Sequence, residues 1–119
     1  MIKIAEEKNF ENKVKKYLQL MGIYALGTPK QAMKAKPIGY YEKRWGGGTF
    51  TKAGLPDMHI CVNGKSIEVE LKATSGKPSD LQLHILQQIN DSGGCALLIY
   101  PKNFEELKNV IEKVANNEH

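Results

Sequence analysis

Apolar residues near the start of the chain recur at helical spacing. The positions are Phe10, Val14, Tyr17, Leu18 and Met21. Residues separated by three, four, seven or eight positions lie on one face of an α-helix, so this stripe predicts an amphipathic helix with one buried face. Gly22 follows directly, and glycine is the residue that most often terminates a helix. The pattern therefore predicts a first helix that ends at Gly22.

Short apolar runs further along the chain predict strands at residues 23–26, Met58–Val62, 65–72 and 95–100. The third run alternates, with Ile67, Val69 and Leu71 on one face and Glu68, Glu70 and Lys72 on the other. Asn63-Gly64 separates the second run from the third. An Asn-Gly pair between two such runs is a strong signal for a tight β-hairpin.

Two further helices are predicted in the second half. Ser79 and Gln82 have the spacing of a capping box, and apolar residues at helical spacing follow as far as Gly93-Gly94. A last amphipathic stripe runs from Phe104 to Val114. Residues 27–56 show no steady period and are predicted to form a long connection. The order of elements predicts one α/β domain over residues 1–119, with a mixed sheet flanked by helices and a C-terminal helix.

The positive charge of the chain is concentrated in that connection. The 119 residues contain 17 Lys and Arg against 13 Asp and Glu, which gives a net charge of +4. Residues 27–56 contain six of the basic residues and one acid, Glu42, whereas the rest of the chain is close to neutral. A local basic segment predicts a polyanionic partner better than the same charge spread evenly.

Several classes of protein are disfavoured. No apolar run approaches the length needed to cross a bilayer, and the charged first twenty residues are unlike a signal peptide. Cys61 and Cys95 lie in apolar runs, which favours free thiols in a reducing compartment over a disulfide. His59, His84 and His119 have no zinc-ligand spacing with either cysteine. We therefore expect an intracellular protein of the cytoplasm or nucleoid, and a phage origin stays open.

The predicted hairpin brings two carboxylates together. With a two-residue turn at Asn63-Gly64, Asp57 lies opposite Glu70, and Lys72 lies on the same face as Glu70. Facing carboxylates repel by some tenths of a kcal/mol, and a divalent cation between them would remove the conflict. Carboxylate oxygens are the ligands that Mg²⁺ and Mn²⁺ prefer. The alternative is an ordinary solvated strand face with charged residues alternating against apolar ones.

Lys72 beside such a cation would suit phosphodiester hydrolysis. Its ammonium group could orient or deprotonate the attacking water, or stabilise the charge that develops on the phosphorus, while the metal polarises a phosphate oxygen.

The stretch Gly54-Leu55-Pro56-Asp57, followed after the hairpin by Glu70-Leu71-Lys72, resembles the signature of the PD-(D/E)xK nuclease superfamily. Within it, residues 6–100 resemble a VRR-NUC domain, the virus-type replication-repair nuclease module. The resemblance implies a restriction-endonuclease-like αβββαβ core. It also implies a metal-dependent DNA endonuclease of repair and recombination that cuts branched, Holliday-junction-like DNA as a homodimer.

The resemblance also assigns roles to individual residues. It implies that Asp57, Glu70 and the main-chain carbonyl of Leu71 hold Mg²⁺ or Mn²⁺, with Glu11 completing the metal site and Lys72 as the catalytic lysine. Gln82 matches the glutamine of the family motif, which lies near the scissile phosphate or the active-site water. Glu11 has an alternative interpretation as a surface charge paired with Lys15. Gln82 has one as a plain capping residue.

Basic residues are the candidates for DNA contact: Lys30, Lys34, Lys36, Lys43, Arg44, Lys52 and Lys77. Tyr40, Tyr41, Trp45 and Phe50 are interleaved with them and could stack on splayed bases. The alternative is that some of these aromatic residues anchor the connection to the core or form a dimer interface. Two other functions also stay open, namely a non-catalytic DNA-binding module on the nuclease fold and a duplex-specific restriction-type nuclease.

Overall fold

The computed structural model describes residues 2–44 and 53–117. Its elements are α1 (Ile2–Met21), β1 (Ile23–Ala25), a 3₁₀ turn (Lys30–Ala32), β2 (Gly39–Lys43), β3 (Met58–Val62), β4 (Lys65–Leu71), α2 (Asp80–Asp91), β5 (Ala96–Ile99), a second 3₁₀ turn (Pro101–Asn103) and α3 (Phe104–Ala115). The predicted α/β class is confirmed, with one mixed sheet, flanking helices and a C-terminal helix. The succession α1-β2-β3-β4-α2-β5 is compatible with a restriction-endonuclease-like αβββαβ core.

The sheet has five strands in the order β1-β2-β3-β4-β5. Strand β3 is antiparallel to both of its neighbours, whereas β1 is parallel to β2 and β4 is parallel to β5. Strands β2, β4 and β5 therefore end, and β3 begins, at one edge of the sheet, which we call the carboxyl edge. Residues that follow β4 and residues that precede β3 are brought together there.

An apolar core joins α1 and α3 to one face of the sheet. Val14, Leu18, Ile60, Leu107 and Ile111 have no solvent exposure in it. Helix α2 packs on the opposite face, where Ile85 and Leu86 are buried against the sheet. The helices on both faces leave the carboxyl edge as the place where side chains from α1, α2 and the strands can meet.

The predicted hairpin is confirmed in its register. Met58 pairs with Val69 and His59 with Glu68, as a two-residue turn requires. Asn63 and Gly64 both have positive φ, at 49° and 79°, which is the conformation of the tight turn that Asn-Gly favours. The hairpin therefore places Asp57, just before β3, against the last residues of β4.

The interpretation of residues 27–56 as a connection without strands is wrong in one part, because β2 lies within it and pairs with both β1 and β3. Tyr41 is the one buried residue of this strand, and its neighbours Tyr40 and Glu42 are exposed. One buried side chain in five residues does not produce an alternation of apolar and polar residues that the sequence could reveal. The first residue of the strand is Gly39, and a side chain is excluded there because a Cβ would lie 2.1 Å from the Cys61 carbonyl oxygen.

The other boundaries agree closely with the predictions. Gly22 terminates α1 with φ of 88°, and Ser79 and Gln82 form both hydrogen bonds of the capping box at the start of α2. Cys61 and Cys95 are free, half-buried thiols. None of the helices within the described residues combines the length and apolar character that crossing a membrane requires.

Candidate functional site

A cavity of about 170 Å³ opens at the carboxyl edge. All five residues predicted to be catalytic line it, namely Glu11, Asp57, Glu70, Lys72 and Gln82. Leu71 and Lys43 line it as well. The first helix, the hairpin and the second helix therefore contribute to one small polar space, as the sequence motifs require if they form a single site.

Glu70 is buried at the base of this cavity, with 1% of its surface exposed. It is the one charged side chain among the described residues that is fully buried. Gln82 donates from Nε2 to Glu70 Oε2 at 3.0 Å, and Lys72 Nζ lies 3.3 Å from the same oxygen. The other oxygen, Oε1, is buried and has no hydrogen-bond partner among the described residues. A solvated strand face therefore does not describe Glu70.

Asp57 lies against Glu70, as the hairpin register predicts. The main-chain N–H of Leu71 donates to Asp57 Oδ2 at 2.9 Å, which fixes this carboxylate beside the end of β4. Burial, and then the neighbouring Asp57 carboxylate, raise the pKa of Glu70 to about 7, although Lys72 opposes the shift. Two carboxylates so close to each other disfavour double ionisation unless positive charge is supplied.

Lys72 is held in place through its backbone. Its N–H donates to the Ile99 carbonyl at 3.0 Å, which continues the parallel pairing of β4 and β5 by one residue. The side chain then points back to Glu70 and the cavity. Its ammonium group is thus held by the end of the sheet and by one carboxylate oxygen.

Glu11 joins the site from α1, but two lysines hold its carboxylate. Lys43 Nζ lies 2.6 Å from Oε1, and Lys15 Nζ lies 2.9 Å from Oε2. Burial alone would raise the pKa of Glu11, but hydrogen bonds with Lys43 and Lys15 bring this pKa below its usual value. The predicted pairing with Lys15 is confirmed, and it coexists with a position on the cavity wall.

Gln82 likewise fits both interpretations given to it. Its Oε1 accepts from the Ser79 N–H at 2.8 Å within the capping box, while its Nε2 reaches Glu70. The capping box orients the amide so that the donor faces the cavity. One residue therefore begins α2 and contacts the buried carboxylate.

Asp57 and Glu70 offer the hard oxygen donors that suit Mg²⁺ or Mn²⁺. No group of three or more His, Cys, Asp or Glu side chains arranged around a common point occurs within residues 2–44 and 53–117. Magnesium is commonly held by only one or two carboxylates, with water and substrate phosphate as its other ligands. Glu70 Oε1, which has no hydrogen-bond partner among the described residues, would offer such an ion a buried carboxylate oxygen beside Asp57, so the donor chemistry of these two residues fits the metal.

The residues predicted to contact DNA are placed in different parts of the molecule. Lys30, Lys34, Lys36 and Lys77 are exposed. The Lys36 carbonyl lies close to Gly22. Gly22 directly precedes β1, which begins at the end of the sheet away from the carboxyl edge, so Lys36 lies far from the cavity. Lys43 faces the cavity and Glu11. Lys52, together with Trp45 and Phe50, falls outside the described residues.

Arg44 makes internal contacts that the sequence did not indicate. Its Nη1 forms an ion pair with Glu68 and donates to the Pro56 carbonyl at 3.0 Å, and its N–H donates to the Asp57 carbonyl at 2.6 Å. Glu68 also contacts His59, the cross-strand partner that the register predicts. Arg44 therefore braces the backbone that carries Asp57.

The aromatic residues of β2 have separate environments. Tyr41 is buried in the core, which fits the interpretation that part of the aromatic set anchors this segment. Tyr40 is 37% exposed on the other face, with its ring centroid 6.1 Å from that of His59. Tyr40 is thus the described aromatic residue of this segment that remains accessible to a ligand.

Sequence reasoning missed Lys43 and Glu7 as cavity residues. Lys43 pairs with Met58, the residue after Asp57, so recognising β2 would have placed it here. Comparison with known proteins adds no assignment, since no family model, no curated protein and no solved structure matches this chain. The resemblance to VRR-NUC domains stays a prediction that rests on the motif residues.

Proposed function

We propose that this protein is a metal-dependent endodeoxyribonuclease that hydrolyses phosphodiester bonds in branched DNA. The observation that carries the proposal is the buried Glu70 carboxylate, which has Asp57 and Lys72 beside it and one oxygen with no hydrogen-bond partner within residues 2–44 and 53–117. Burying a carboxylate next to another is unfavourable for the isolated fold. A site for a divalent cation and a phosphate explains why these three side chains converge there.

Each side chain then has a task that follows from its contacts, and the resemblance adds the Leu71 carbonyl. Asp57 and Glu70, with the Leu71 carbonyl, would hold Mg²⁺ or Mn²⁺, and the bound ion would polarise the scissile phosphate and lower the pKa of a water molecule. Lys72 would orient that water or stabilise the charge that develops on the phosphate oxygens. Gln82 holds Glu70 Oε2 in place.

Lys43 and Glu11 line the cavity together with Glu7. Lys15 and Lys43 exceed the charge of Glu11 by one unit, but Glu7 balances that unit. Glu11 holds the Lys43 ammonium group at the cavity, where it would contact a phosphate group that enters. We therefore assign Glu11 a place in the site through its lysines, in addition to the part in metal binding that the resemblance implies.

The proposals that the substrate is branched DNA and that the protein is a homodimer rest on the resemblance to VRR-NUC domains. Stand-alone nucleases of this core and size suggest a homodimer that cuts a four-way junction on two strands. Two sites related by a two-fold axis would match the symmetry of such a junction. An intracellular location in the cytoplasm or nucleoid follows from the same assignment.

A second candidate is a DNA-binding module without catalysis. The observation in its favour is that Lys15 and Lys43 engage the Glu11 carboxylate, and that the described residues contain no group of three or more side chains that could hold a metal ion. A protein of this kind would bind branched DNA equally well with chelator and with metal.

The test is incubation of the purified protein with a labelled four-way junction, a flap and a linear duplex of shared sequence, in Mg²⁺, Mn²⁺ or chelator. We expect metal-dependent cutting, fastest on the junction. Cutting of the linear duplex at defined sequences would favour the restriction-type alternative. Tight binding of the junction without cutting in either metal would favour the binding module.

The variants Asp57→Asn and Lys72→Met separate catalysis from binding because both preserve the size of the side chain. We expect each to bind the junction and to lose cutting by at least about 100-fold. Lys113→Met is the matched control, since Lys113 is exposed on α3. Cutting that survives both cavity substitutions would contradict the site.

A further inference from the structure

A second basic surface forms where α1 packs beside α3, outside the cavity at Glu70. It is a groove of about 430 Å³. Four lysines line it, namely Lys13, Lys16, Lys102 and Lys108. One acid, Glu105, lines it as well. These residues lie outside the basic segment 27–56, so counting charge along the chain did not reveal them.

Three of the four lysines direct unneutralised charge into solvent. Lys13, Lys16 and Lys102 are exposed and form no ion pair with any described residue. Lys108 is the exception, because its Nζ lies 3.4 Å from Glu105 and 4.6 Å from the centre of the Phe104 ring. The groove therefore presents a net positive surface.

Aromatic rings form the floor of the groove, and they are poorly placed to stack on a nucleic-acid base. Tyr17 packs edge-on against Phe104, with centroids 5.8 Å apart, and Phe104 packs edge-on against Phe10 at 5.7 Å. Burial, and then the charges of Glu112 and Glu105, raise the pKa of Tyr17 to about 12, so the phenol stays neutral near pH 7. Rings that already pack on one another are poorly placed to receive a base, whereas the lysines above them can contact phosphates of any sequence.

The groove lies next to the cavity at the carboxyl edge. Phe10 lines the cavity and touches Phe104, which lines the groove. The turn Pro101–Asn103 follows β5, whose last residue, Ile99, accepts the hydrogen bond from Lys72. Lys102 and Lys72 therefore follow neighbouring parallel strands and lie at the same edge of the sheet.

We propose that this groove binds the phosphate backbone of the DNA beyond the position held in the cavity, without regard to its sequence. The proposal rests on the proposed nuclease function, because it extends the path of the same substrate. The occupant is a DNA strand because a net positive groove that opens beside a phosphate-hydrolysing site complements the backbone of that substrate. An acidic segment of another protein is the alternative that the test must separate.

The test compares two double variants that remove the same charge. Lys13→Gln with Lys102→Gln neutralises one lysine on each side of the groove. Lys8→Gln with Lys113→Gln neutralises exposed lysines on α1 and α3 that do not line it. Binding to a labelled duplex is measured by fluorescence anisotropy with chelator present, over a range of salt concentrations, so that cutting does not interfere.

We expect the groove variant to bind about tenfold more weakly near 0.1 M salt, with a log–log salt slope reduced by about 1.8, since each lost phosphate contact removes about 0.9. The control variant is expected to retain the slope of the wild type. The longest principal-axis extent is 38 Å, which is about 11 base pairs at 3.4 Å per pair. Extending the duplex by that length on one side should therefore strengthen binding to the wild type and not to the groove variant.

Equal salt slopes for the groove variant and the wild type would overturn the proposal, even if the wild type cuts DNA. A second result would also overturn it: polyglutamate binds the wild type but not the groove variant, while both proteins bind DNA with the same affinity. That result would assign the groove to an acidic protein segment. If the wild type binds DNA through the groove but never cuts in Mg²⁺ or Mn²⁺, the groove stands and the nuclease proposal fails. A wild type that binds no DNA contradicts both.

Discussion

Gln82 donates a hydrogen bond from Nε2 to Glu70 Oε2 at 3.0 Å, so the first turn of α2 is tied to the buried carboxylate at the end of β4. The same amide accepts from the Ser79 N–H through Oε1. This double use fixes which end of the amide faces the cavity. A capping residue and a site residue are thereby combined in one side chain.

Replacement of Gln82 by Glu separates these two uses. Glutamate is also a capping-box residue at this position, so α2 should still begin at Asp80. The new carboxylate would face Glu70 without a donor, which raises the pKa of Glu70 further and disfavours its ionised form. We expect cleavage of the junction to fall by about tenfold or more, measured as kcat at saturating Mg²⁺.

The matched variant is Gln82→Ala, which removes both bonds of the Gln82 side chain but keeps the N-cap bond from the residue-82 N–H to Ser79. It should destabilise the protein by about 1 kcal/mol because the Ser79 N–H and Glu70 each lose a partner. Urea unfolding measures this loss. If Gln82→Glu cut the junction at the rate of the wild type, Gln82 would serve α2 alone.

The pH dependence of stability should report the burial of Glu70. Its pKa rises from the usual 4.5 to about 7 in the folded chain without metal. Between these values the folded state binds more protons than the unfolded state, so stability falls as pH rises through this window and levels off above it. The fall attributable to this group is at most about 3 kcal/mol. Urea unfolding in chelator at pH 5 to 8 measures it.

Glu70→Gln is the control for this dependence, because glutamine keeps the shape and does not ionise. We expect its stability to change less over the same pH range and to exceed that of the wild type at pH 8. Parallel profiles for the two proteins would show that Glu70 is already ionised in the fold at low pH.

Arg44 tests whether a basic residue of the connection contacts DNA or braces the site. We expect Arg44→Met to destabilise the protein by about 1–2 kcal/mol, because the Glu68 side chain loses one of its two described partners, Arg44 and His59, and the Pro56 carbonyl loses its donor. Urea unfolding measures this change. Lys34→Met, at an exposed position, should change stability by less than about 0.5 kcal/mol.

The opposite result for Arg44 is also informative. Unchanged stability together with weaker, less salt-dependent DNA binding would assign the side chain to the DNA surface that the sequence predicts. In that case Arg44 would not brace the backbone of Asp57.

Gly39 tests the strand that the sequence pattern did not reveal. A methyl group there would lie 2.1 Å from the Cys61 carbonyl oxygen, and backbone must move to relieve the contact. We expect Gly39→Ala to lower the unfolding free energy by at least about 3 kcal/mol by separating β2 from β3.

Gly27→Ala is the control for Gly39. It has φ of 88° and no atom within 4 Å of the added Cβ, so it suffers only the strain of the backbone. Its expected loss is about 1 kcal/mol, measured by urea unfolding in the same buffer. Equal losses for the two variants would mean that β2 does not pack against β3 as described.

The hairpin shows how much of the site could be predicted from sequence. An Asn-Gly turn sets the register, and the register alone places Asp57 against Glu70 and leaves Lys72 on the same face. The burial of Glu70 could not be predicted in this way. Glu70 alternates with Val69 and Leu71, as charged residues do on a strand face that is open to solvent. The helix α2 covers this face of β4 and buries Glu70, and the sequence pattern does not predict where α2 lies.

Contacts between distant segments account for the rest. The basic segment predicts that Lys43 and Arg44 contact DNA, but Lys43, at the end of β2, pairs with Glu11, and Arg44, directly after it, pairs with Glu68. The groove lysines come from α1 and from the C-terminal part of the chain, so their proximity depends on the packing of Phe104 between Phe10 and Tyr17. No local pattern encodes such packing.

The most direct test of the central claim is single-turnover cleavage of a labelled four-way junction in Mg²⁺ by the wild type and by Glu70→Gln, with junction binding measured in parallel. The account predicts cutting by the wild type that chelator abolishes. It also predicts at least about 100-fold slower cutting by Glu70→Gln at equal binding. Cutting at the same rate by both proteins, or by the wild type in chelator, would contradict it.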